Sequence, residues 1–321
     1  MIAAECGYYG KLPISPEFLR LHAAGPELRW LDDWLQRGIL YAESVEGSQW
    51  PAVVAQSELC SFMYVPSSDR IVCGVLFPSQ DKAGRFFPFL AFVLLEGNAL
   101  TRTPWLVPIM ASNFLDHMHT LLVELRKNCN WEEFRQNMAE PRTRLSDLPS
   151  AKDAFDRFLH EMKAGAWWTA VYGSFDDKRK YRIAETICEV VQELKPQIAK
   201  RFSGGLCFPV TNTTLTPQCD VSFWLAACLQ SLISDHEQAL SLLCFWKPGS
   251  PTTRSPALIS IGPGSPNMLR FVVSPQAQDD AWVLIGENGD RVDETVKAIL
   301  DDADLSLAGL LAYFNGGCER S

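Results

Sequence analysis

Histidine is scarce in this chain, and its cysteines are not spaced to act together. Five His are scattered through 321 residues, and the ten Cys (6, 60, 73, 129, 188, 207, 219, 228, 244, 318) form no Cys-x-x-Cys pair and neighbour no His at ligand spacing. That removes the usual donor sets for structural zinc. The nearest cluster is Asp116, His117 and His119, but on a helix residues two apart point about 200° away from each other, so the two imidazoles cannot share an ion. Most cysteines lie inside apolar strings such as Leu242-Leu243-Cys244-Phe245, where a reduced thiol behaves as a small hydrophobe. The pattern predicts a reducing cytoplasm, no disulfide framework and no metal or cofactor.

Clustered positive charge is also lacking. The net charge of −9 argues against a nucleic-acid surface, which needs a local excess of Lys and Arg. The densest basic string, Lys178, Arg179, Lys180 and Arg182, follows Asp176 and Asp177 and reads as a solvated helix start. The longest apolar run, Phe86 to Leu95, contains Pro88 and falls short of the roughly 18 residues that span a bilayer, so no membrane insertion is expected. The opening residues MIAAECGYYGK lack the basic and apolar regions of a secretory signal. There is no Gly-x-Ser-x-Gly elbow and no phosphate-binding loop, and Gly262-Pro263-Gly264 lacks the third glycine of a dinucleotide fingerprint. What remains, 47% hydrophobic and 21% charged, is the balance of a soluble globular protein.

Periodicity gives the coarse architecture. After the strand GYYGKLP, residues Leu28, Leu31, Trp34, Leu35 and Ile39 fall at helical spacing from Pro26 to Ile39, with Gly38 as the stop. Leu59 to Val65, Ile71 to Phe77 and Phe86 to Leu95 read as three strands joined by polar turns, an antiparallel meander with the helix on one face. Pro108 to Lys127 is helical, a second piece begins at Trp131, and the Pro- and Ser-rich stretch Ala139 to Lys152 reads as a boundary between domains 1–140 and 150–321, the alternative being a long connection inside one larger body. In the second half Trp167 to Val171, Gly205 to Val210, Ala239 to Trp246, Ala257 to Ile261, Leu269 to Val273 and Trp282 to Ile285 read as strands, and Arg179 to Lys200 and Ser222 to Ile233 as helices. Trp167 and Trp168, neighbours on a strand, are expected to face opposite sides, one in the core. The predicted fold is α/β in the α+β sense, a layered α/β/α sandwich with a mixed, largely antiparallel sheet. One shared offset places Pro78 on Pro263, Arg85 on Arg270 and Phe86 on Phe271, a hint of two related halves.

The distinctive stretch is Gly74 to Phe89, GVLFPSQDKAGRFFPF. Lys11, Asp81 and Arg85 could form an anion clamp with an acid beside it, Arg offering a bidentate fork and Asp a proton acceptor or Mg²⁺ ligand. The favoured reading is structural: Asp81 caps the turn's N–H groups, Gly84 supplies positive φ and Arg85 pairs with a carboxylate.

GYYGKLP, the helix bearing Trp30-Leu31-Asp32-Asp33-Trp34-Leu35, and the Pro78, Ser79, Asp81, Gly84, Arg85, Phe87, Pro88 pattern together resemble the TagF (ImpM) family of type VI secretion system-associated proteins. The resemblance covers roughly the first 100 residues. It marks Gly10, Lys11, Pro13, Phe18, Trp34, Ser79, Asp81, Gly84, Arg85, Phe87 and Pro88 as family-motif positions, structural or partner-binding. Where the family usually continues Ser-Arg-Gly-Asp-Phe, this chain has Ile14-Ser15-Pro16-Glu17-Phe18, so no role of that Arg transfers. The resemblance implies a non-enzymatic cytoplasmic accessory protein. It would repress assembly or firing of the secretion apparatus after translation by binding the forkhead-associated scaffold protein Fha or another component. Two alternatives stay open: an enzyme acting on an anionic substrate through Lys11, Asp81 and Arg85, and a structural subunit of the apparatus.

Overall fold

The computed structural model describes residues 3–66, 69–127, 130–138, 145–194, 205–211, 217–234, 240–247, 255–262, 264–274 and 294–316. The N-terminal part contains strands β1 (Ala3–Gly10) and β2 (Leu19–Leu21), helices α1 (Pro26–Glu46) and α2 (Trp50–Gln56), then β3 (Cys60–Val65), β4 (Arg70–Phe77) and β5 (Phe89–Glu96). Helices α3 (Asn98–Arg102), α4 (Val107–Met110), α5 (Ser112–Lys127), α6 (Trp131–Met138), α7 (Leu148–Glu161), α8 (Ala164–Tyr172) and α9 (Arg179–Leu194) follow. The remainder is β6 (Leu206–Val210), α10 (Pro217–Ser234), β7 (Leu242–Trp246), β8 (Ser255–Ile261), α11 (Met268–Val273), α12 (Glu294–Leu300) and α13 (Leu307–Gly316).

The strands form one sheet in the order β2-β1-β5-β4-β3-β7-β8-β6. Every pairing between these strands is antiparallel, so the mixed sheet expected from the sequence is corrected to an antiparallel one. The expected three layers are present. Strand side chains alternate between two cores: Met63, Cys73, Val75, Ala91 and Val93 face the larger, which packs α3 to α10 and α13. Phe62, Tyr64, Val72, Leu90 and Phe92 face the smaller, which packs α1, α2 and α11. Because both faces are covered, β3 is buried at all six positions, which is why it shows no polar alternation, with Ser61 its single small polar residue. The two stretches separated by the Pro- and Ser-rich segment share this sheet, since β3 pairs with β7 from Ser61↔Trp246 to Val65↔Leu242.

Several local expectations change. Gly38 does not stop α1. It lies inside the helix against α11, where a Cβ would come within 2.8 Å of Leu269 Cβ, and the helix ends at Gly47. Trp167 to Val171 is helix α8, and both Trp167 and Trp168 are buried. A helix apolar on nearly every side loses the 3.6-residue pattern that distinguishes it from a strand. Leu269 to Val273 is likewise helical. Arg270 is therefore in a helix whereas Arg85 is in a turn, and α1 and α10 lie on opposite faces of the sheet, so the repeat drawn from the shared offset does not hold. The basic string is not simply solvated either: Lys180 is buried, donating to Phe175 O at 2.9 Å and pairing with Asp301 at 2.8 Å. The expected strand 282–285, Pro263 and residues 195–200 of the expected helix lie outside the described residues.

Cysteines 6, 60, 73, 207, 219, 228 and 244 carry free thiols, six of them buried. Cys188 departs from the reduced reading in being disulfide-bonded.

Candidate functional site

The residues that the resemblance marks, Trp34 apart, lie on two loops at one end of the N-terminal strands. β1 runs out at Gly10, and the chain turns through 11–18 before pairing back as β2. Opposite it, the segment between β4 and β5 makes a tight turn, with Asp81 N–H donating to Arg85 O at 3.0 Å and Gly84 N–H to Asp81 O at 2.9 Å. The two loops are joined by backbone, Lys82 N–H donating to Ser15 O at 3.1 Å.

Asp81 holds this junction. Its Oδ1 accepts from the backbone N–H groups of Ala83 and Arg85, each at 2.9 Å. Its Oδ2 accepts from Lys11 Nζ at 3.0 Å and Arg85 Nε at 2.7 Å. Arg85 Nη2 continues across to Pro16 O at 2.9 Å, tying the turn to the facing loop a second time. The Asp81 side chain is 0% exposed and that of Lys11 10%. Burial works against the charged carboxylate. The bonds from Arg85 N–H, Lys11, the Arg85 guanidinium and Ala83 N–H outweigh it and hold Asp81 well below the usual carboxylate range.

This geometry decides what Asp81 can do. A carboxylate has about four lone-pair sites, and here all four are taken. A group so saturated and so acidic is a poor proton acceptor near pH 7 and has no oxygen free for a cation. The expected turn cap is therefore present, and the carboxylate that Arg85 pairs with is Asp81 itself.

The surrounding residues lock the clamp. Gly10 has φ +135°, and a Cβ there would lie 2.1 Å from Pro88 O, so no side chain fits between β1 and the start of β5. Gly84 has φ +82° but opens onto empty space, so there glycine answers only the backbone requirement of the turn. Phe87 and Pro88 are buried, and Phe87 N–H donates to the carbonyl of buried Ser79 at 3.1 Å. Phe18 lies on Tyr9 at 5.3 Å and edge-on to Phe87 at 4.8 Å, with Lys11 Nζ 5.0 Å from its ring centroid. Pro13 is exposed on the same loop. Trp34 does not join this group: it is buried in α1, stacks on Phe245 at 5.4 Å and donates to Gly264 O at 3.3 Å.

Sequence reasoning missed Ser15 and Pro16, which act through backbone carbonyls that leave no side-chain signal. It also missed a second buried carboxylate, Asp220, which accepts from Trp167 Nε1 at 2.8 Å and from Thr211 N–H and Oγ1 at 2.8 and 2.5 Å. Burial dominates there and raises its pKa despite those bonds. His119 is bonded to Ser61 Oγ at 3.0 Å, and burial pushes its pKa down to about 4. Among the described residues no group of three or more His, Cys, Asp and Glu could hold a metal ion, and no helix is long and apolar enough to cross a membrane.

The clamp lies inside a stretch that matches a known domain. Residues 7–140 match the TagF N-terminal domain, described as type VI secretion system-associated. The chain carries a TagF N-terminal domain. The match takes in β1 from Gly7 onward, all of β2 to β5 and the whole Lys11–Asp81–Arg85 clamp. A crystal structure of PA0076 from Pseudomonas aeruginosa PAO1 is 25% identical over a match covering 43% of this chain and 63% of that one, with a TM-score of 0.37. The chain thus spans less than two thirds of that relative. No curated protein matches.

Proposed function

We propose that this protein is a non-enzymatic regulator of a type VI secretion system, restraining assembly or firing after translation by binding a cytoplasmic scaffold, the forkhead-associated protein Fha. The observation that carries this reading is the saturated clamp at the motif positions of the TagF domain. Its carboxylate is spent on two backbone N–H groups and two cations, so the motif's most chemically suggestive residues serve to fix two loops in one shape. Fixed loops at a sheet end, bearing an exposed aromatic and an exposed Arg, suit recognition of a macromolecule better than turnover of a small substrate.

The test is capture of partners by the tagged protein from cells that express the secretion system, with secretion measured on overexpression. The expected outcome is recovery of the Fha scaffold and lowered secretion. Recovery of a different component would move the partner, and unchanged secretion with nothing recovered would end the proposal. Stoichiometry separates regulator from subunit, since a regulator can be absent from the assembled machine whereas a component cannot.

A further inference from the structure

The outward side of the clamp is not consumed by the fold. The Arg85 side chain is 62% exposed, and its bonds to Asp81 and Pro16 O use two of the five N–H donors of a guanidinium. Lys82 is exposed on the same turn and Arg20 is exposed opposite Tyr9 in the β1–β2 pairing, and Glu17 is the exposed acid of the same two segments. Asp81 lies buried beneath, and half-buried Asp32 is engaged by the Tyr9 hydroxyl. Three outward cations therefore face solvent against one outward carboxylate, on a chain whose net charge is −9. Among them Phe18 is 38% exposed while its ring is held by Tyr9 and Phe87.

We propose that Phe18, Arg85, Lys82 and Arg20 form a docking surface for a carboxylate-rich segment of a protein partner. The partner's Asp or Glu side chains pair with the guanidinium and ammonium groups, and an apolar side chain covers the Phe18 ring. Charge complementarity selects this occupant: a nucleic acid or an anionic membrane would meet the acidic remainder of the chain, whereas a short acidic segment meets only the local cations. Arg85 and Phe18 are already immobilised, by Asp81 and Pro16 and by the flanking rings, so binding loses little side-chain freedom there. This inference rests on the partner-binding reading above.

The experiment compares capture of secretion components by the wild-type protein and by Phe18→Ala, Lys82→Glu and Arg20→Glu, with Val123→Glu, at an exposed position of α5, as control. A photo-crosslinking benzoylphenylalanine at position 18 maps the contact, and circular dichroism verifies that each variant is folded. The expected result is that Phe18→Ala and Lys82→Glu each lower capture at least about fivefold, as for residues near the centre of an interface. Added salt should weaken capture further, the control should not change, and the crosslink should fall in an Asp/Glu-rich stretch of a protein. Capture by the wild type that all three variants leave unchanged overturns the docking surface while the partner reading stands. A crosslink to nucleic acid, lipid or a neutral peptide overturns it as well. If the folded wild-type protein captures no secretion component, the partner reading fails, and this inference with it.

Discussion

Replacing Asp81 by Ala should be among the most costly single changes in the N-terminal half, and the structure sets its size. The substitution deletes four accepted hydrogen bonds, two of them from charged groups, and leaves the Lys11 ammonium, 10% exposed, without its carboxylate. Removing one partner of a buried pair costs about 3–5 kcal/mol. Here Arg85 is 62% exposed and can turn to water, and Lys11 can swing its ammonium toward the surface, so a value of about 3 kcal/mol is expected. Lys11→Met should cost less, about 1–2 kcal/mol, because Asp81 keeps Arg85 and both backbone donors. The double variant should cost less than the two single losses together by about 1–2 kcal/mol, since each single change strands the other's charge. Urea unfolding followed by tryptophan fluorescence gives these values from midpoints at constant slope. A loss below about 1 kcal/mol for Asp81→Ala, or strict additivity in the cycle, would refute the clamp as a coupled buried unit. The pH dependence has a defined sign. A carboxylate whose native pKa is depressed contributes stability above its unfolded value, about 3.9, and loses it as pH falls toward the native value. The gap between wild type and Asp81→Asn should therefore be flat near neutrality and close only below about pH 4. A gap that closes near pH 6 would contradict the depressed pKa.

Three further outcomes follow from the same structure. Gly10→Ala should destabilise by more than about 2 kcal/mol because its Cβ meets Pro88 O, whereas Gly84→Ala should cost about 1 kcal/mol of backbone strain alone; equal thermal midpoints for the two would defeat this distinction. A fragment of residues 1–140 should aggregate or digest rapidly, because it uncovers the β3 edge that β7 pairs and part of the larger core; a protease-resistant fragment with cooperative unfolding would be the contrary result. Trp167→Phe should cost about 2 kcal/mol by leaving buried Asp220 short of a donor, and an unchanged urea midpoint would remove Asp220 as a staple between α8 and α10.

The sequence by itself determined the meander of β3, β4 and β5, the amphipathic α1 and α5, and the turn at Asp81 with its Gly84. Those signals are local: a period of two or 3.6 residues, or a turn whose cap and glycine lie within four positions of each other. Tertiary structure alone decided whether Trp167 and Trp168 sit on a strand or a helix, because the exposed face of α8 carries Ala166, Thr169 and Ala170, small and mostly apolar residues that leave no polar period to read. It also decided the role of Gly38, which looks like a helix stop until α11 is packed against it. It brought Lys11 to Asp81 and left Trp34 in the core, although the sequence reading marked all three for the same site. Spacing in sequence does not encode which strand ends meet; sheet order does, and that order is set by burying both faces of β3 and β4 between helices that come from both halves of the chain.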